Sequence, residues 1–153
     1  MRLVIQRTKE ASVAIEGQIV GRISKGLLIL LGIEDRDTDD DIEWLCQKVV
    51  KMRIFDDADG VPNLSVLDTP GADILLVSQF TLMASTKKGN RPSYIHASRP
   101  EFAIPMYEKF IARLSQLMGH QIPTGQFGAM MEVSLINDGP HTIIMDSQNK
   151  DIF

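Results

Sequence analysis

Ser78, Gln79, Phe80 and Thr81 follow directly on the apolar run Ile74-Leu75-Leu76-Val77. Four consecutive apolar residues read as a strand buried on both faces, which puts the polar residues after it at the strand's exit, beside the core. At a period of two, Gln79 and Thr81 share one face and Ser78 and Phe80 the other, gathering hydroxyls, an amide and an aromatic wall in one short segment. Such groups can position a substrate and, with backbone N–H groups, stabilise an oxyanion, but they supply no general base. An activated ester suits a site of that kind. The plainer reading is a strand end whose side chains cap neighbouring backbone. A second polar segment, Asn137-Asp138-Gly139-Pro140-His141-Thr142, separates two apolar strands near the C-terminus, and its Asp138-Gly139-Pro140 also reads as an ordinary turn.

Other chemistries lack their residues. Ser78 has neither the histidine nor the sharp glycine-flanked turn of a serine hydrolase. His96, His120 and His141 fall in loops or strand ends with no metal-ligand spacing, and no cysteines accompany them. Lys87-Lys88-Gly89 follows no glycine-rich phosphate loop. Asp56-Asp57-Ala58-Asp59-Gly60 resembles a calcium loop, but with Gly60 at the turn the first and last ligands would be Phe55 and Val66, so the segment reads as a turn. The acidic run Glu34 to Asp41 reads as a helix start, with Thr38 as N-cap and Asp41 three residues on. Neither a metal nor a cofactor is implied.

The elements that must position these residues form an α+β pattern. Val13 and Ile15 alternate with polar neighbours, Gly17-Gln18 makes a turn, Ile19 to Ile23 returns, and Lys25-Gly26 makes the next turn. Leu27 to Leu31 is apolar without alternation, hence central. A first helix carries the stripe Ile42, Leu45, Cys46, Val49, which makes the single cysteine, Cys46, a buried and inert thiol. Ser98, Pro100 and Glu101 signal a second helix with Phe102, Met106, Phe110, Leu114 and Leu117 on its core face. Met131 to Ile136 and Thr142 to Met145 are two closing strands. The fold class is α+β, a single domain over 1–153, with a largely antiparallel, barrel-like sheet and two main helices.

The chain of 153 residues is long enough for one ordinary core without disulfide or metal. It has no apolar stretch near the ~20 residues a membrane helix needs, and its start alternates like a strand rather than a signal peptide. A cytoplasmic protein with no membrane association is expected. A net charge of -4 argues against a generic polyanion binder, and no DNA partner is expected, although a local basic patch is compatible with it.

Taken together, these residues resemble the D-aminoacyl-tRNA deacylase family over nearly the whole chain. The resemblance rests on Met1 to Arg7, on Asn63-Leu64-Ser65-Val66, and on Ser78-Gln79-Phe80-Thr81 as a Ser-Gln-x-Thr motif. It continues in Thr86-Lys87-Lys88-Gly89-Asn90-Arg91-Pro92-Ser93, in Thr124 to Ala129, and in Asn137-Asp138-Gly139-Pro140 as a Gly-cisPro motif. It implies a homodimer that hydrolyses the ester joining a D-amino acid, or glycine, to the terminal adenosine of tRNA. It further implies that Gly139-Pro140 of one subunit enters the other's site in the cis form. There a main-chain carbonyl against the substrate's α-carbon would exclude an L side chain and admit hydrogen.

On this resemblance Ser78, Gln79, Phe80 and Thr81 are the candidate catalytic residues, with N–H groups around Phe80 and Thr81 as oxyanion hole. Thr81 either attacks the ester or orients water while the tRNA's own 2′-hydroxyl relays the proton; the absence of a base near it in sequence favours the second. Lys87, Lys88, Arg91 and Arg99 are candidates for acceptor-stem phosphates, with a solvated loop as the bland reading, and Phe127 for stacking on the terminal adenine, with a core phenylalanine as its counterpart. Two positions depart from the family pattern: His141 stands where an apolar residue is usual, and Ser85 where an aspartate is common. Three other functions compete with this one: a non-catalytic RNA-binding β module, a general small-ester hydrolase and a structural dimerisation domain.

Overall fold

The computed structural model describes residues 1–153. β1 (Arg2–Ile15), β2 (Gln18–Ile23) and β3 (Gly26–Gly32) form the expected meander. Its first turn is Glu16-Gly17 rather than Gly17-Gln18, because these two residues take the positive φ (50° and 77°) that a tight hairpin demands. β1 pairs antiparallel with β3 through its first half and with β2 through its second. After β3 the chain crosses over through α1 (Asp39–Lys51) and a small hairpin of β4 (Phe55–Asp56) and β5 (Pro62–Leu64). It then returns as β6 (Asp73–Ser78), parallel to β3. The curled sheet is thus antiparallel except for this one pair, whose crossover the helix supplies.

β3 and β6 read as unbroken apolar runs because the curl gives them two cores. On one face Leu27, Ile29, Leu31, Ile74 and Leu76 pack under the helices with Leu3 and Ile5. On the other, Leu28, Leu75 and Val77 meet Ala11, Val13 and Ile23 inside the curl. α1 begins as expected: the Asp41 carboxylate accepts from the N–H (2.8 Å) and hydroxyl (2.9 Å) of Thr38. Its stripe Ile42, Leu45, Cys46 and Val49 is buried, and burial pushes the Cys46 thiol up to about 12. Asp57 closes the turn before β5 by accepting from the N–H groups of Asp59 (2.9 Å) and Val61 (3.1 Å).

Three expectations are corrected. In α2 (Pro100–Met118) the buried stripe is Ala103, Met106, Tyr107, Phe110 and Leu114, so Phe102, one residue or about 100° off that stripe, faces outward. The N-cap is Arg99, and Ser98 lies one residue before it. The closing segment is one strand, β7 (Glu132–Asp146), running along the other edge of β1. Asn137 pairs with Thr8 and Thr142 with Gln6, so Arg7 alone faces Asp138 to His141, which bulge out of the ladder, and a second irregularity follows between Thr8 and Glu10.

Candidate active site

β6 ends at Ser78, and Phe80–Met83 bend into a single 3-10 turn. The alternation that would sort Gln79, Phe80 and Thr81 onto opposite faces therefore stops one residue into the motif. The turn is held by three backbone bonds: Gln79 N–H to the Leu31 carbonyl (2.7 Å), Leu82 N–H to the Gln79 carbonyl (3.2 Å) and Ala84 N–H to the Thr81 carbonyl (3.1 Å). Phe80 and Thr81 come before the first of the turn's own i→i+3 bonds, so their N–H groups have no partner within it. Gly32 lets the turn lie flat on β3, since a Cβ there would stand 3.0 Å from Leu82 Cβ and 3.2 Å from the Gln79 carbonyl. The Gln79 amide donates to Thr81 Oγ1, joining the two residues whose faces the sequence pattern had paired for a different reason.

Beside the turn opens a cleft of about 340 Å³. Ser78, Gln79 and Phe80 form one wall and Phe127 and Met131 another, while Ser98 lies in the lining. Phe80 is exposed at the rim, edge-on to Tyr94 at 5.2 Å. Phe127 is half-buried and packs at 5.8 Å on Tyr107, so one ring serves both the core and the cleft. The Ser98 hydroxyl is buried without a hydrogen-bond partner. None of the lining residues is ionisable. Tyr107, behind the wall, donates to the Leu76 carbonyl at 3.3 Å, and burial pushes its phenol up to about 12, so it is no base at neutral pH. The cleft can orient a polar group and hold developing negative charge on N–H groups, but it has no side chain able to take a proton.

The other candidates lie elsewhere. The Gly139–Pro140 peptide bond is cis, and both residues are exposed on the β7 bulge at the level of Arg7. From there to Ser78 the sheet steps across β1 and β3 to β6 and up from Arg7 to Leu3, the level of Leu31 and Ser78. Three strand spacings and four residues of rise make roughly 20 Å along the sheet. Along the sheet, Gly139-Pro140 and the Ser78 to Thr81 motif of one chain are therefore well separated. His141 is half-buried in the same bulge. Lys87, Lys88 and Arg91 sit on an exposed loop closed by the reciprocal Ser85 and Ser93 backbone bonds (2.8 and 2.9 Å), and none of the three is in a salt bridge. Arg99 is exposed at the start of α2.

Two arginines went unread in the sequence. Arg7, with a side chain 6% exposed, donates to the Asp138 carbonyl (3.2 Å) and pairs with its carboxylate (3.1 Å) at the foot of the bulge. It also donates to the Ile54 carbonyl (2.6 Å) and Asp56 (3.2 Å). A charge in line with inward-facing Leu3 and Ile5 was the available signal. Arg2 donates to the Leu82 carbonyl (2.8 Å) in the turn and twice to Asp146 (3.0 and 2.7 Å). Nothing in the local pattern announced that link, which spans most of the chain.

Comparison with known proteins identifies the family. The family model described as D-Tyr-tRNA(Tyr) deacylase matches residues 4–146. A protein of Flavobacterium johnsoniae named D-aminoacyl-tRNA deacylase is 60% identical over 151 residues, covering 99% of this chain and all of the relative. One of the same name from Bacteroides thetaiotaomicron is 58% identical over the same span. Among solved structures, one titled c-Myc DNA unwinding element binding protein superposes with a TM-score of 0.88 at 38% identity, covering 95% of this chain and 98% of that one. Another, titled a probable eukaryotic D-amino acid tRNA deacylase, shares the fold with a TM-score of 0.81 at 17% identity, covering 94% and 98%.

Proposed function

The chain belongs to the D-Tyr-tRNA(Tyr) deacylase family and is a D-aminoacyl-tRNA deacylase, and on that premise we propose that its cleft hydrolyses the ester of D-aminoacyl-tRNA, and of glycyl-tRNA, with chirality read by the partner subunit's Gly139-Pro140. The terminal adenosine enters against Phe127, and the ester carbonyl points at the Phe80 and Thr81 N–H groups, which take up the negative charge of the tetrahedral intermediate. Ser78 and Gln79 hold the turn in place.

The observation that carries this mechanism is the absence of any ionisable side chain lining the cleft. A threonine nucleophile needs a neighbouring base, and Thr81 instead accepts a hydrogen bond from the Gln79 amide. Water therefore attacks the ester carbon and gives its proton to the vicinal 2′-hydroxyl of the tRNA's ribose, which passes its own proton to the 3′-oxygen as the ester C–O bond breaks and the free amino acid departs. Such a site depends on its substrate's own ribose and is inert to esters that lack one.

Two features of the same geometry support assembly as a two-fold dimer. The bulge stands some 20 Å along the sheet from its own chain's motif, and β7 pairs only with β1, leaving its other edge free for a second copy. A Cβ at Gly139 would meet only Asn137 Nδ2, at 3.4 Å, so nothing within the chain requires glycine there. A close approach to another subunit's substrate does. We place the homodimer in the cytoplasm with tRNA as its only nucleic-acid partner.

The deciding experiment incubates the protein with D- and L-aminoacyl-tRNA bearing the same amino acid, with glycyl-tRNA, and with a free D-amino-acid ethyl ester. Release from the D and glycyl species alone is expected. Equal release of the L form removes the chiral filter, cleavage of the ethyl ester makes the protein a general esterase, and binding without turnover makes it an RNA-binding module.

A further inference from the structure

A second cavity, of about 540 Å³, lies away from the cleft, where α1 meets the end of β7. Its lining includes Trp44, Lys48, Lys51, Met52 and Met145 and contains no carboxylate. Lys150 completes it: its Nζ stands 4.6 Å from the Trp44 ring centroid, and that of Lys48 stands 5.9 Å from the same centroid. Lysines in the last turn of a helix complement its carbonyl end, which accounts for Lys48 and Lys51. It does not account for Lys150, which arrives from the C-terminal turn, held against α1 by the Gln148 amide donating to Asp37 and Asp41, each at 3.2 Å. None of these lysines is in a salt bridge, and the nearby carboxylate of Glu43 is already taken by Arg113. In a chain of net charge -4, two unpaired cations at one aromatic ring and a third, Lys51, in the same lining form a localised positive surface with a stacking platform.

We propose that this cleft binds the phosphate backbone of the substrate tRNA's acceptor stem, outside the catalytic site. The inference rests on tRNA being the substrate. Its position favours that occupant over other polyanions. On one side Lys150 lies four residues beyond Asp146, whose partner Arg2 holds the Leu82 carbonyl of the catalytic turn. On the other side Met52 lies two residues before Ile54, whose carbonyl receives Arg7, the residue that holds Asp138 beside Gly139-Pro140. One flank thus leads to the catalytic turn of this subunit and the other to the bulge assigned to its partner's site, and each chain link is no longer than roughly 14 Å. A stem whose end is engaged at the catalytic turn is expected to bring its phosphates across the lysines.

Trp44 is the only tryptophan, so its emission reads this cleft directly. Uncharged tRNA titrated onto the full-length protein is expected to change Trp44 emission and to shield it from iodide. In the triple variant Lys48→Glu, Lys51→Glu, Lys150→Glu, the Kd for tRNA is expected to rise at least about tenfold near 0.1 M salt, and the slope of log Kd against log salt to fall by about 2 to 3, at ~0.9 per lost phosphate contact. kcat/KM on D-aminoacyl-tRNA should fall relative to that on D-aminoacyl-adenosine, which has no stem. A Lys→Gln version of the same variant, with its melting temperature, separates lost binding from lost folding. Silent Trp44 emission at saturating tRNA, an unchanged salt slope, or equally tight binding of poly-glutamate overturns the proposal. Failure of the deacylase reading is distinct: the unaltered protein would then hydrolyse neither substrate.

Discussion

Replacing Arg2 by methionine keeps the length and apolar stem of the side chain but deletes the guanidinium that links the catalytic turn to the end of β7. Three hydrogen bonds go: one to the Leu82 carbonyl (2.8 Å) and two to Asp146 (3.0 and 2.7 Å). The Asp146 side chain is 1% exposed and retains the Gln148 N–H at 2.9 Å, so its charge is left under-compensated rather than bare. Stranding one partner of a buried pair costs about 3–5 kcal/mol, but the Arg2 side chain is 31% exposed and solvent screens part of the loss, which leaves about 2–3 kcal/mol. For a chain of this size that corresponds to a fall in Tm of roughly 4–12 °C. The pH dependence has a definite sign. Burial alone would raise the Asp146 carboxyl, but hydrogen bonds led by Arg2 outweigh it and hold the carboxyl below its usual range. A carboxylate depressed in the folded state stabilises above its unfolded value near 3.9, and that stability is lost as pH falls through the lower, folded value. The Tm gap between parent and Arg2→Met should therefore be full at pH 7 and shrink below about pH 4. Single-turnover hydrolysis below the variant's Tm should show a lower kcat with KM little changed, because the turn is loosened while the cleft walls remain, and Arg2→Lys should recover part of the loss. A Tm within about 1 °C of the parent, or a gap that stays constant into acid, refutes the reasoning.

Thr81→Ala should keep a substantial part of the single-turnover rate if the hydroxyl only orients water; complete loss would establish an obligatory nucleophile. Gly139→Ala should leave the protomer's Tm unchanged, since the added Cβ meets nothing closer than 3.4 Å, and should abolish deacylation by colliding with the partner's substrate; retained activity would sink the cross-subunit filter. Changing Lys87 and Lys88 to Gln should flatten the salt dependence of tRNA binding by about 1.4 to 1.8, at ~0.7–0.9 per contact, and an unchanged slope places the RNA elsewhere. Cys46, with its thiol pushed up to about 12 by burial, should resist iodoacetamide at pH 8 until denaturant unfolds the chain, with rapid alkylation of the native protein as the contrary result.

Local pattern was enough for much of this protein. The α1 stripe, the Thr38 and Asp41 start, the unbroken apolar runs of β3 and β6 and the polar segment that follows β6 are set by interactions within a few residues, or by burial so complete that no other composition would serve. Periodicity stopped being informative where the backbone changed type. The bend at Phe80–Met83 ended the alternation, Phe102 fell off the α2 stripe by a single residue, and the Asp138–His141 bulge lay inside one strand, where hydropathy marked two. Contacts made across the sheet were decided by the tertiary structure alone. Arg7 reaches residues 47 and 131 positions away, Arg2 one 144 away, and Lys150 closes over Trp44. A cleft free of ionisable groups, and a Gly139-Pro140 bulge set apart from it along the sheet, follow from how β6, β3, β1 and β7 lie side by side. Sequence separation carries no information about such neighbours, because the order of strands in a sheet is set by the packing of whole faces and not by any short run of residues.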